Sequence, residues 1–512
     1  MHKKRIFLFL ILCILVVMVF GVLYFRLPEL NGKSTLTSSP TLTIISISPT
    51  FFQPAVTSTQ EQTTFYVSSK GDDDNPGTIN SPWFTIQYAV DQAAAGDTIY
   101  IREGTYPGSI VISKSGTLEK PITLQRYMNE SVTISGGMDP AFEVYGDNWI
   151  IDGFTMVSDA EYTVNLGASF TTVQNSIING QVYIWGNHNT FANNEIVGAN
   201  PRGYKNGITE DGPDSFNNYY YKNLIHGFTQ RGIWSVWLTH DNVYEENEIF
   251  NITGEKGICL DLDGASSVNY RSVIRGNIIH ECENTGIELE NSYQTLVENN
   301  LVYTFGLEGI QVISYKGCTT AGENNQFGDP DGDCRGNDLE NTLQQNIIYD
   351  SGRVGGIVAY QASGVNVYNN TVIGGASVAL FIKGTIDQSN HWDVRGNIFA
   401  NNARGEISIQ DPKSLIEENN LVFHPDSLYP YELRNSQNEM FTLNQWQTRF
   451  QLGQNTIAMD PLFIDADIYN FHLQSGSPAI DTGIDLGITV DFDGKLRPAG
   501  SGFDLGAYEF RP

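Results

Sequence analysis

One short phrase, Asn followed by any residue and then an apolar one, recurs along most of this chain and decides what it can fold into. Its asparagines are Asn175, Asn194, Asn223, Asn247, Asn277, Asn300, Asn346, Asn370, Asn397 and Asn420. Several gaps are 23 or 24 residues, and the 46 from Asn300 to Asn346 is twice 23. A fixed period of this size with one supersecondary unit per repeat is the mark of a solenoid. The phrases read as short strands, and each repeat is too short to hold a crossover helix. The chain is therefore expected to be all-β, a single-stranded parallel β-helix. Asparagines stacked at one turn of successive coils would form a hydrogen-bonded ladder.

A second phrase interleaves with the first: Gly232-Ile233-Trp234, Gly257-Ile258-Cys259-Leu260-Asp261, Gly286-Ile287-Glu288-Leu289-Glu290, Gly309-Ile310-Gln311 and Gly356-Ile357-Val358. From Asn to the next Gly is nine or ten residues, as in Asn223 to Gly232 and Asn247 to Gly257. From Gly to the next Asn the interval varies, from 14 (Gly286 to Asn300) to 37 (Gly309 to Asn346). One arc of the coil is thus nearly constant and the other takes the insertions, which in solenoids fall on one side, often the binding side. The interval of 13 from Asn194 to Gly207 breaks this rule.

Strand side chains alternate between faces. With Ile258, Leu260 and Leu262 inward, Cys259, Asp261 and Asp263 face out. With Ile287 and Leu289 inward, Glu288 and Glu290 face out. Each phrase carries an acid four residues after its glycine, so Asp261 and Glu290 are expected to lie one above the other. Rungs are ~4.8 Å apart, close to the ~5 Å between the carboxyl groups of retaining glycosidases. Like charges that close raise one pKa and prepare one acid and one nucleophile. An ordinary solvated acidic face, and a Ca²⁺ site with a Lys or Arg base, remain open beside this. Trp234, on the preceding rung, and Trp237 are candidates for sugar stacking, and Asp263, Glu288 and Gln311 for substrate binding. Arg231, Lys256, Lys316 and Arg335 are the basic residues near the cleft; His240 and His280 could orient substrate.

The ends differ from the coil. His2-Lys3-Lys4-Arg5 precedes an almost wholly apolar run from Ile6 to Phe25, long enough to span a bilayer. Basic residues before it put the N-terminus in the cytoplasm. No small-x-small cleavage site follows, so residues 1–26 are expected to be an uncleaved signal anchor, 27–62 a Ser/Thr/Pro-rich tether, and the body extracellular. The β-helix is expected over 63–455, opening with a short capping helix whose N-cap is Ser81 with Pro82 next, and whose buried face is Ile86, Ala89, Val90 and Ala93. Residues 424–455 read as irregular, and 456–512 as a C-terminal capping segment of the same domain. The long arc holds Cys318 and Cys334, the favoured disulfide, around Asp329-Pro330-Asp331-Gly332-Asp333, whose alternating acids suit Ca²⁺ or are simply a solvated loop. The net charge of −29 excludes non-specific nucleic-acid binding and disfavours a polyanionic substrate. A monomer is expected.

The opening, Tyr66-Val67-Ser68 through Asp74-Asn75-Pro76-Gly77-Thr78, Thr85-Ile86-Gln87, Gly96-Asp97-Thr98-Ile99 and Gly104-Thr105-Tyr106, resembles the start of exported right-handed parallel β-helix proteins of the pectate-lyase-like superfamily. The ending, Asp460-Pro461 through Asp504-Leu505-Gly506-Ala507-Tyr508-Glu509, is similar to their C-terminal segment. The resemblance implies right-handed coils and leaves the reaction open among lyases, hydrolases, epimerases and non-catalytic surface proteins. The acidic rungs resemble those of β-helical retaining glycosidases of the β-xylosidase type. That implies Asp261 as nucleophile and Glu290 as acid/base on a neutral glycan, with no cofactor required. Two departures stand against the match: the 29 residues from Gly257 to Gly286 exceed one plain coil, and Glu288 competes with Glu290. A Ca²⁺-dependent polysaccharide lyase and a non-catalytic adhesion protein are the alternatives.

Overall fold

Each coil carries three short strands separated by tight bends, as in Val243–Glu245, Glu248–Ile252 and Ile258–Asp263. The residue before a ladder asparagine makes the first bend. Lys222, Glu246, Asn299, Gln345 and Asn369 all stand at φ between 51° and 55°, a left-handed turn that reverses the chain in one residue. The asparagine that follows is fully buried and repays its desolvation with hydrogen bonds. From Asn194 to Asn420 each side-chain amide donates to the Oδ1 of the next asparagine along the stack at 2.9–3.1 Å. It also donates to a backbone carbonyl, as Asn247 does to Tyr220 at 2.9 Å. Asn175 is one residue out of this ladder: it is itself the left-handed residue, and Ser176 holds the ladder position, giving its N–H to Asn194.

The computed structural model describes residues 63–198, 204–264, 268–314, 338–350, 352–384, 391–413 and 415–512. The anchor and tether expected over 1–62, Cys318, Cys334, Asp329, Asp331, Asp333, Lys316 and Arg335 lie outside them. Among the described residues no helix is long and apolar enough to cross a membrane.

The strands stack into three long sheets of 14, 13 and 14 members, a right-handed all-β parallel helix. Sheet 1 begins with Thr64–Val67, sheet 2 with Gly104–Pro107 and sheet 3 with Ile110–Ile112. Ile225, Ile249, Ile279, Val302 and Ile348 of sheet 2 face Ile233, Leu260, Ile287, Ile310 and Ile357 of sheet 3 across a core from which water is excluded. Stacked aliphatic side chains of this kind supply most of the stabilisation, about 25 cal/mol per Å² removed from water.

The N-terminal helix spans Ile86–Gln92 and is capped by Thr85, not Ser81. Residues just before it are drawn into the sheet edge, with Trp83 exchanging backbone hydrogen bonds with Tyr66 and Ser68 at 2.9 Å. Asp73 then accepts from the N–H groups of Phe84 and Thr85, which starts the helix. The expected face, Ile86, Ala89 and Val90, is buried.

At the other end, residues expected to be irregular form an antiparallel pair, Tyr431–Leu433 with Glu439–Phe441, and a helix, Leu443–Phe450. A capping box of Thr442 and Gln445 starts that helix. Trp446 is fully buried and stacks on Tyr431 at 4.9 Å, closing the core. The tail beyond it runs along the outer face of sheet 2. There Phe463, Phe471, Leu505 and Ala507 cover Ile373, Ile398 and Leu421.

Candidate active site

Four acids share the outer face of sheet 3 on two neighbouring rungs, Ile258–Asp263 and Ile287–Glu290. The register sets Asp261 opposite Glu288 and Asp263 opposite Glu290. Asp261 therefore does not stack on Glu290 as the glycine alignment implied; that pair is diagonal. The equivalent of Gly286 and Gly232 is Cys259, because Leu260 pairs with both Ile233 and Ile287. A slip of two residues keeps every side chain on its face and moves it one column along, so the acids are outward as expected but paired differently.

Glycine elsewhere at that position has a steric cause. A Cβ on Gly232 would sit 2.4 Å from the Ile249 side chain, and on Gly286 2.6 Å from Val302. Cys259 fills the same inward position and joins Cys282 of sheet 2 in a disulfide, Cα–Cα 5.7 Å. Cys259 is thus inward rather than outward, and a bond between coils ties the Asp rung to the coil that carries the Glu rung. Its sequence signal was two cysteines 23 residues apart, one period of the repeat.

Burial and crowding set the protonation of the cluster. Asp261 is 1% exposed. Burial pushes its carboxyl up to about 6, against the pull of Arg231. Arg231 Nε donates to Asp261 Oδ2 at 2.5 Å, and its guanidinium lies 3.6 Å from Asp263. Glu288 is half-buried, and burial, then the charges of Asp261 and Glu290, push it up to about 9. Glu290 rises to about 8 through burial and then the charges of Asp263 and Asp261. At neutral pH Asp261 is the ionised member and the two glutamates hold protons. Two buried oxygens, Asp261 Oδ1 and Glu290 Oε1, have no hydrogen-bond partner among the described residues. Unmade bonds of this kind are costly.

The other expected residues fall unevenly around the acids. Trp234 is in register with Asp261. One face of its ring is covered by the Arg231 guanidinium at 4.5 Å, and its Nε1 donates to Asp263 at 3.0 Å, so it buttresses the acids. Trp237 lies past the strand end, 55% exposed. Gln311 stands on the rung after Glu288, in its column. Lys256, in the turn ahead of the Asp rung, lowers the pKa of all three shifted acids. His280 is remote, on the outer face of sheet 2 between Phe250 and Tyr303. His240 stacks between Phe216 and Tyr270 and pairs with Asp241. The variable arcs after Asp263 and Ile313 leave from the C-terminal ends of the acid-face strands. The step from sheet 2 to sheet 3 also varies: Val197 to Asn206 is longer than His226 to Arg231, which accounts for the long interval from Asn194 to Gly207. Among the described residues no three His, Cys, Asp or Glu converge closely enough to hold a metal ion.

Residues 65–235 match the model of the Pel9A-like right-handed β-helix region. Pectate lyase PEL9 of Emericella nidulans is 46% identical over 102 residues, which is 19% of this chain and 25% of that protein. Uncharacterized protein YwoF of Bacillus subtilis is 51% identical over 71 residues, 14% of this chain and 15% of that protein. The chain thus matches a quarter or less of each relative's length. Among solved structures, the complex of XylC with xylose superposes with a TM-score of 0.53 at 13% identity, covering 88% of this chain and 98% of that one. The family match ends before the acid rungs, and the structural likeness extends over them as fold alone. Together with the stacked coils, these matches show the fold, a right-handed parallel β-helix whose residues 65–235 are similar to the Pel9A-like region.

Proposed function

We propose that this protein is a retaining glycoside hydrolase acting on a neutral glycan, with Asp261 as nucleophile and Glu288 as acid/base. The observation that carries the reading is the facing Asp–Glu pair whose proton affinities are pushed apart, to about 6 and about 9. Facing carboxylates on adjacent parallel rungs have backbones ~4.8 Å apart, which suits the ~5–5.5 Å of a retaining pair. The diagonal pair Asp261 and Glu290, offset by two residues along the strand as well, is about 8 Å apart at the backbone, in the range of inverting enzymes. That is why Glu288 replaces Glu290 in the acid/base role.

The steps follow from the charges. Glu288, protonated at neutral pH, gives its proton to the leaving glycosidic oxygen as that bond breaks. Asp261, ionised and held by Arg231, attacks the anomeric carbon and forms a glycosyl ester. Glu288, now a carboxylate, takes a proton from water, which displaces Asp261 and releases the sugar. Asp263 and Glu290 flank this centre as substrate-binding groups.

A second reading, a Ca²⁺-dependent polysaccharide lyase with Arg231 as base, is favoured by the local similarity to a pectate lyase. The acids as they stand do not form a cage for the ion, and Arg231 is engaged by two carboxylates, so no step is routed through Ca²⁺. We place the protein outside the cytoplasm, tethered by residues 1–26; the Cys259–Cys282 disulfide suits an oxidising compartment.

The test is a panel of neutral and acidic glycans incubated with residues 63–512. Reducing ends released from a neutral glycan, unaffected by chelator and lost in Asp261→Asn, support the hydrolase. Ultraviolet-absorbing product that disappears with chelator supports the lyase. Neither product would leave a non-catalytic surface protein.

A further inference from the structure

The acid-face columns of sheet 3 continue well beyond the four acids, and towards the N-terminus they end on aromatic rings. Asp263 pairs with Val236 and Val236 with Asp211. One rung further, Trp185 follows Ile184, whose partner Glu210 precedes Asp211. Two rungs beyond that, Tyr145 follows Val144, which pairs with Leu166 and through it with Ile184. Trp185 is therefore three rungs from Asp263, about 14 Å at the strand spacing, and Tyr145 five rungs, about 24 Å.

Both rings are held and open. Trp185 is 41% exposed and Tyr145 43%, and their centroids are 6.3 Å apart. Between them lies Gly167, where a Cβ would meet the Trp185 ring at 2.0 Å. The indole thus lies on bare backbone, with its other face turned outward. Its Nε1 donates to Asn165 at 3.1 Å, and the Tyr145 hydroxyl donates to Glu143 at 2.6 Å. The polar edges are satisfied within the protein and the apolar faces are presented, unlike Trp234, whose face Arg231 covers.

We propose that Trp185 and Tyr145 form a distal glycan-binding platform, and that the substrate is an extended chain lying along the coil axis from these rings to the acid rungs. Flat, rigid, half-exposed aromatics bind the apolar face of a pyranose ring at little cost in side-chain entropy. One rung rise is close to the length of one sugar in an extended chain, so the platform engages sugars about three units from the cleaved bond. The proposal deepens the glycosidase reading, rests on it for the identity of the ligand, and adds that longer chains are better substrates than disaccharides.

The experiment compares xylo-, cello- and mannooligosaccharides of two and six sugars. Hydrolysis is followed in the wild type, Trp185→Ala, Tyr145→Ala and Trp185→Phe, and binding is followed by calorimetry in the Glu288→Gln background. Expected is a loss of about tenfold in kcat/KM and in affinity for a six-sugar chain in Trp185→Ala, less in Tyr145→Ala, and near wild-type values in Trp185→Phe. Values for the two-sugar substrate should not change. An unchanged ratio of six-sugar to two-sugar values, or a wild type that binds none of the six-sugar chains, overturns the platform. So does a Trp185→Ala variant that changes the oligomeric state and leaves glycan affinity unaltered. Length-dependent binding through Trp185 in a protein that hydrolyses nothing would sustain the platform and refute the hydrolase.

Discussion

Two groups of buried carboxylates sit on opposite faces of sheet 3, and they are treated in opposite ways. Glu210, inside the coil, is fully buried and has its carboxyl raised by burial. Four side chains bind it: Tyr244 at 2.7 Å, Asn218 at 2.8 Å, Ser235 at 2.9 Å and Ser215 at 3.2 Å. The outer acids are also crowded and largely buried, but Arg231 and Trp234 are the main groups that reach them, and two of their oxygens have no partner among the described residues. Burial is the first cause of the upward shift in Glu210 and in Asp261, Glu288 and Glu290. The supply of donors separates them: a carboxyl enclosed by fixed donors belongs to the architecture, whereas one left short of donors is poised to exchange protons with a ligand.

The largest expected effect tests that division on the outer side. Asp261→Asn and Glu288→Gln should each lower kcat on the cleaved glycan by on the order of 10³-fold or more, while Glu288→Gln should melt higher than the wild type at neutral pH, since the glutamate is held protonated in the fold but ionises in the unfolded chain. Glu290→Gln should cost about tenfold, mostly in KM, as a binding group does. A larger loss in Glu290→Gln than in Glu288→Gln would return the acid role to the diagonal pair.

On the inner side the pattern should invert. Glu210→Ala strands the hydroxyls of Tyr244 and Ser235 and the amide of Asn218, and should cost about 3 kcal/mol in urea unfolding while the folded enzyme keeps its kcat. Breaking the Cys259–Cys282 bond in the double alanine variant should cost about 3 kcal/mol for a loop of this size, and should also lower activity, because the bond joins the Asp rung to the coil of the Glu rung.

The smallest effects are those of pH. Activity should rise through about 6 as Asp261 ionises and fall through about 9 as Glu288 loses its proton. Stability falls with pH over this whole range. Glu288 is raised in the folded state, so between its ordinary 4.5 and about 9 the native protein binds more protons than the unfolded chain, and stability declines as pH rises. Glu288→Gln should flatten that slope in melting curves recorded from pH 5 to 9, and Glu439→Gln, at an acid whose pKa Arg449 lowers, should not.

Much of this was legible in the sequence because the coil is periodic. The Asn phrase marks a corner that needs a left-handed residue followed by a buried amide, and both leave a trace in residue type. The outward placement of Asp261, Asp263, Glu288 and Glu290 was legible because strand faces alternate every two residues. The column was not. Gly257 drew the alignment to itself, whereas its φ of 53° places it in the turn ahead of the strand and Cys259 takes the structural place of glycine. A shift of two residues is invisible to a pattern of period two. The acid–Leu–acid triplets Asp261-Leu262-Asp263 and Glu288-Leu289-Glu290, matched to each other, would have set the register. The sequence marks Arg231 as a nearby base, but its grip on Asp261 depends on a side chain reaching across a rung. The fit of Trp185 over Gly167 left no periodic signal.

The most direct measurement is proton NMR of the first product released from a neutral oligosaccharide, before mutarotation. The facing Asp261–Glu288 pair predicts a product with the anomeric configuration of the substrate and no unsaturated sugar. An inverted anomer, as expected of the diagonal pair, or a double bond in the new non-reducing end would contradict it.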